Sequence, residues 1–400
     1  MGTQQSFASL ELQARIKRQT ALSKMHQLID WEALRPLCEG IYKRDQTPVC
    51  KGGQTPFDAV LMFKALLLGQ WHSLSDPKLE EALNVRLDFI EFCGLSLNDP
   101  IPDESTLCRY RNRLIEARRM DALLAQVNAQ LQRHGLMVKN APAAVIDATL
   151  IASAARPNSG YPVIEGQLAH SAEYDQNDEP DGAASEAVSE AVSEAVSEAA
   201  SEAAPATQVA EVVRSQVKLV AHVHSADPDA RWVKKGSKYY FGFRGFLAVD
   251  SNDGYVRGVH TAPANESEMR HFCKTVDAAD FTPERVYADK GFSSKANRGH
   301  LRGKRIKSAI MHKGYRGKPL RERQINANKL MSKTRWIVEQ TNGTLKRLFG
   351  MVRASYFTTV KVHAQVVIKS LCLNLLKAGN KILKLERLGE SIRLLKAKPG

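Results

Sequence analysis

The spacing of apolar positions divides this chain into segments of different character. Up to about residue 140 apolar residues recur at helical intervals. Thr55-Pro56 opens a segment rich in Phe57, Val60, Leu61, Phe63, Leu66 and Leu67. Further helices are predicted over 77–93 and 104–118, the second capped by Pro102-Asp103. At 142–151 the pattern becomes a short apolar run, Pro142-Ala-Ala-Val-Ile-Asp-Ala-Thr-Leu-Ile151, which predicts a buried strand with one acid in its middle. Lys238–Asp250 and Tyr255–Thr261 flank a Ser-Asn-Asp-Gly turn signal and read as a β-hairpin, with Asp250 serving the turn. A helix over 266–279 follows, then strands at 284–291 and 304–311, a long helix over 319–348 and an amphipathic helix over 360–379. That order predicts an α/β fold with a mixed sheet, preceded by an all-helical N-terminal part.

Residues 165–205 fit none of these patterns. No Lys or Arg occurs between Arg156 and Arg214, and tetrads of the Ser-Glu-Ala-Val or Ser-Glu-Ala-Ala type run from Ser185 to Ala204. Glutamates at every i,i+4 spacing repel one another, and their stripe drifts around a helix, so no stable apolar face results. The repeat reads as a tolerated insertion; the alternative is an acidic arm that competes with DNA for basic surface. The organisation expected is a helical domain over 1–140, an α/β domain over 141–379 interrupted by this insert, and a basic tail over 380–400.

Charge narrows the function. The net charge is +14 and the pI about 9.5, which points to a polyanion such as nucleic acid or an anionic membrane surface. No run of about 18 apolar residues predicts a membrane span. The six cysteines are scattered without a C-x-x-C pair, which suits a reduced cytoplasmic compartment better than a zinc site. In the helix predicted over 104–118, Arg109, Arg111 and Arg113 are candidates for DNA contact, the other reading being a solvated basic face.

The chemistry gathers in the helix around 334–347. Offsets of 4, 7 and 11 place Arg335, Glu339, Asn342 and Lys346 on one face, within roughly 60°. Residues 290–359 hold 18 Lys and Arg, and Glu339 is one of only two acids there. Asp147 mid-strand and Asp289 at the end of Val286-Tyr-Ala-Asp289 are costly in apolar surroundings unless paired or metal-bound. Each acid alone has an ordinary salt-bridge or turn reading. Together, two on strands and one on a helix can converge on two Mg²⁺ or Mn²⁺ ions for in-line phosphoryl displacement. Arg335 and Lys346 would then contact phosphates. Asn342 has no role beyond its position, and Trp336 reads as a core residue.

These residues resemble a known family. Asp147-Ala-Thr-Leu-Ile151, Tyr287-Ala-Asp-Lys-Gly-Phe292 and the R-x3-E-x6-K run at Arg335, Glu339 and Lys346 look like those of bacterial insertion-sequence transposases of the DDE class, in the IS-five-like group. Gly242-Phe-Arg-Gly245, Thr261-Ala-Pro-Ala-Asn265 and Pro102-Asp-Glu-Ser-Thr-Leu107 are also similar, and the likeness covers most of residues 50–380. It implies an RNase H-like catalytic domain with a mixed five-stranded sheet, with Asp147, Asp289 and Glu339 as metal ligands. It also implies cutting at the element's ends, transfer of the 3′-hydroxyl to target DNA, and a helical N-terminal domain that helps bind the terminal inverted repeats. Such proteins act as dimers or higher multimers on DNA. Ser332 stands where relatives often carry Tyr. The rival functions are a DNA-binding regulator without catalysis and an RNase H-like nuclease without strand transfer.

Overall fold

The computed structural model describes residues 20–41, 56–156, 161–163, 220–222 and 226–396. The chain forms two compact units, Met1–Ala154 with Asp229–Gly400, and Ala155–Pro228. The acidic repeat lies outside the described residues.

The first unit begins with helices: α1 (Ala21–Leu28), α2 (Arg35–Cys38), α3 (Ala59–Trp71), α4 (Asp76–Val85), α5 (Leu87–Cys93), α6 (Glu104–Glu116) and α7 (Met120–Arg133). Asp58 caps α3 by accepting from Val60 N and Leu61 N, and Asp103 caps α6 through Thr106 N. α3 is buried along nearly its whole length, including Lys64, whose ammonium lies over the Trp31 ring. The single helix expected over 77–93 breaks at Arg86, which is extended, donates to Asp88 and packs over Phe89.

The sheet follows. β1 (Ala143–Ala152) pairs antiparallel with β5 (Lys238–Asp250) and parallel with β7 (Arg285–Ala288). β7 pairs parallel with β8 (Lys307–Ile310), and β5 pairs antiparallel with β6 (Val256–Pro263). These five strands form a mixed sheet of the RNase H-like kind. A sixth, β4 (Arg231–Lys235), extends it by pairing with residues 238–242 of β5. In the second unit, β2 (Tyr161–Val163) pairs antiparallel with β3 (Val220–His222).

Helices α8 (Glu268–Asp277) and α9 (Lys295–Gly303) bring Phe272, Val276 and Leu301 onto a core with Ile146, Phe246, Ala248, Val286 and Ile310. Side chains alternate across a strand. Asp147, next to Ile146, therefore faces the other side, where α10 (Glu322–Leu348) packs on β1, β5 and β7. α11 (Thr359–Lys396) crosses β6 and packs on α3 and α7. The sequence pattern placed its end at 379, but the helix continues through residues read as a tail.

Gly242 makes the crossing of β1 and β5 possible. Its φ is +154°, and a Cβ there would overlap the Ile151 carbonyl oxygen and approach Ser153 N at 2.7 Å. Gly242→Ala is expected to destabilise the fold by at least about 2 kcal/mol, through strain and overpacking together. A lowered urea midpoint with unchanged slope would register it.

Candidate active site

The hairpin of β5 and β6 fixes one end of the site. Asp250 is 1% exposed and its carboxylate accepts from the backbone N–H groups of Asn252, Asp253, Gly254 and Tyr255, so it holds the turn. Leu247 of β5 lies opposite Asp147, and Ala288 of β7 lies opposite Ile146. Asp289 therefore leaves β7 one step beyond the strand end and beside Asp147.

α10 supplies the rest. Arg335 lies among three carboxylates: its Nη2 is 3.6 Å from Asp147 Oδ1 and 3.8 Å from Glu339 Oε1, and its Nη1 is 3.4 Å from Asp289 Oδ1. The three acids from β1, the end of β7 and α10 thus surround one point. These contacts are longer than the roughly 2.7–2.9 Å of a tight charge-assisted bond, so the guanidinium is held loosely. With it in the centre, the acids are not drawn together: among the described residues no three His, Cys, Asp or Glu side chains are grouped closely enough to hold a metal ion. The donor set, carboxylate oxygen throughout, fits a hard divalent cation, and the guanidinium marks where these carboxylates accept positive charge.

Asn342 has a role here that the sequence reading missed. It is 8% exposed, and its Nδ2 donates to Asp147 Oδ2 at 3.0 Å. The bond ties down one oxygen of Asp147 and leaves Oδ1 facing Arg335. Burial pushes the Asp147 carboxyl up to about 6; Arg335 opposes this, while Glu268 and Asp289 add to it. Asn342→Ala is expected to weaken divalent-metal affinity about 10- to 100-fold, the usual cost of losing a ligand's orienting partner. Calorimetric Mn²⁺ titration would measure this; wild-type affinity in the variant would deny Asn342 that part.

Lys346 is half-buried on α10, two turns beyond Glu339. Burial lowers its pKa, as does the Lys235 ammonium, while Asp147 raises it. Arg111 departs from expectation. It is 5% exposed, donates to both carboxylate oxygens of Asp76 at 2.7 and 2.9 Å, and packs over the Tyr356 ring at 4.2 Å. An arginine so enclosed ties α6 to α4 and to the segment before α11, and is not free to meet DNA. Arg113 is half-buried and engaged within the fold. Arg109 is exposed, held by Ser105 and Thr106.

The sequence as a whole is similar to transposases. Residues 219–375 match the family model described as Transposase DDE domain, and residues 10–113 match a transposase domain, DUF772. Over 274 residues the chain is 34% identical to the transposase for insertion sequence element IS1106 of Neisseria meningitidis serogroup B, covering 68% of this chain and 78% of that protein. The chain belongs to the insertion-sequence transposases of the DDE class. The transposase is accordingly an enzyme of the polynucleotidyl transferase type, and its family implies DNA binding and a divalent metal. No helix among its described residues is long and apolar enough to cross a membrane. Asp289 and Glu339 fall within the matched DDE span; Asp147 precedes it.

Proposed function

We propose that Asp147, Asp289 and Glu339 hold two divalent ions, Mg²⁺ or Mn²⁺, and that the transposase cuts at its element's ends and transfers the freed 3′-hydroxyl into target DNA. The observation that carries this is the convergence of the three carboxylates on one guanidinium. Bound there, the ions would activate the attacking oxygen and stabilise the leaving one. Asn342 keeps Asp147 turned toward the site. With a metal bound by these carboxylates, Arg335 would turn its forked donors to a phosphate, a geometry that suits it. Lys346 supplies a second cation along the same strand of DNA. Exposed Arg109 contributes to binding of the terminal repeats, and two or more copies assemble on the paired ends.

The test uses the full chain, labelled duplexes carrying the element's termini and a supercoiled target plasmid, with Mg²⁺ or Mn²⁺. Joined products are expected, and a pre-cut terminus ending in a 3′-dideoxynucleotide should not be joined where the same terminus with a 3′-hydroxyl is. Nicking with no preference for the termini and no joining would instead identify a nuclease. Salt-sensitive binding without cleavage at any metal concentration would identify a regulator.

A further inference from the structure

The hairpin of β4 and β5 carries a surface with no part in the reading above. Trp232 is 44% exposed, Tyr239 64% and Tyr240 37%, large values for aromatic side chains in a sheet. Lysines accompany them: Lys234, paired with Tyr239 on the face of Trp232, and Lys235 and Lys238, paired with each other on the opposite face, are all exposed, and Lys234 Nζ sits 5.3 Å from the centre of the Tyr239 ring. Trp232 packs against Phe241 with ring centroids 5.4 Å apart, so a buried neighbour steadies it. A core hairpin would bury its aromatics, and a merely soluble one would have no use for them.

Its position gives the surface direction. β1 runs from Asp147 to Ala152, which pairs with Gly242. Residues 238–241 of β5 extend beyond that end, paired with β4 alone. The hairpin therefore projects past the carboxyl end of β1, roughly 17 Å from Asp147 at about 3.3 Å per residue. α10 bridges the interval: Asn342 donates to Asp147, and Val352, just past the helix end, accepts from Ala152 N at 2.9 Å. Lys346, between those two contacts on α10, thus stands on the way from the acid centre to the rings.

We infer that the β4–β5 hairpin is a stacking platform for unpaired bases of the DNA strand that leaves the cleavage site, with Trp232 and Tyr239 under the bases and Lys234, on their face of the hairpin, along the phosphates together with Lys346. The occupant is single-stranded rather than duplex DNA, because the base faces that a ring can stack on are open only when unpaired. The inference rests on the transposase reading, and its test reads binding alone.

Fluorescence anisotropy of the full chain without divalent metal compares an oligothymidylate strand with a blunt duplex of equal length. Wild type is expected to bind the single strand with a contribution that Trp232→Ala and Tyr239→Ala each reduce about tenfold or more, while duplex affinity changes less than about twofold. Tyr239→Phe, which keeps the ring, should restore single-strand binding, and an unchanged melting curve for Tyr239→Ala excludes misfolding as the cause. Equal losses on both DNAs, no loss on either, or no rescue by Tyr239→Phe overturns the platform. Duplex binding and strand joining retained alongside such a result would leave the transposase reading standing, so the two fail separately.

Discussion

Asp147→Asn is expected to abolish strand cleavage and, at neutral pH, to make the metal-free protein more stable. The first effect follows from the proposed ligation, since a neutral amide is a poor ligand for a hard cation. The second follows from burial. The Asp147 carboxyl is raised from 3.8 to about 6. A native state with the higher pKa holds the proton more tightly than the unfolded chain. Stability is therefore lost as pH rises through the window from 3.8 to about 6, and at pH 7 the whole cost is present. Two units at about 1.4 kcal/mol each put that cost near 3 kcal/mol as an upper figure. Asn removes the charge and can still accept from Asn342. Urea denaturation in a chelator should show the variant ahead at pH 7.5 and level with wild type below pH 4. A variant less stable at pH 7.5, or an advantage independent of pH, would mean that Asp147 is not a strained carboxylate.

The largest loss of stability is expected at Arg257. Its side chain is fully buried and ion-paired with Asp280, and its guanidinium donates to the carbonyls of Val138 and Lys139 at 3.0 and 3.3 Å. Asn128 of α7 donates to Asp280 and to the Val256 carbonyl; Asn374 of α11 donates to Asn128 and accepts from Val256 N. One buried polar network thus joins α7, β6 and α11. Arg257→Ala leaves the part-buried Asp280 carboxylate without its cation and the Val138 and Lys139 carbonyls without their donor, which should cost about 3 kcal/mol. Arg257→Met with Asp280→Leu removes both charges and should be less damaging than Arg257→Ala alone. The single variants Arg257→Met and Asp280→Leu complete a cycle with the double one, and strictly additive losses in it would show that the two side chains act independently.

Much of the site could be read from residue order alone. An acid inside an apolar run and an acid closing another are costly choices, and they mark β1 and β7 in the sequence. A third acid amid cations marked α10. What escaped was whatever depends on neighbours distant in sequence. Asn342 and Arg335 share a helix face, but only the register of β1 against α10 shows that one donates to Asp147 while the other fills the centre. Arg111 looked like its exposed neighbour Arg109 because the partners that enclose it, Asp76 and Tyr356, lie 35 residues before it and far after it. Trp336 was read as core from its apolar neighbours, yet it is 57% exposed: Ile337 and Val338 take the buried face and turn it outward. β4 and α9 were missed because both are short and rich in Lys and Arg, with too few apolar residues to set a period.

Ala152 and Arg231 both pair with Gly242, from opposite edges of β5. They are two strand spacings apart, about 10 Å. The chain of residues 155–228 therefore departs from and rejoins the catalytic sheet at nearly one spot. Closing a loop across so small a gap becomes only slowly harder with length, about 0.6 kcal/mol per doubling. The number of Ser-Glu-Ala tetrads is thus expected to have little effect on the stability of the sheet.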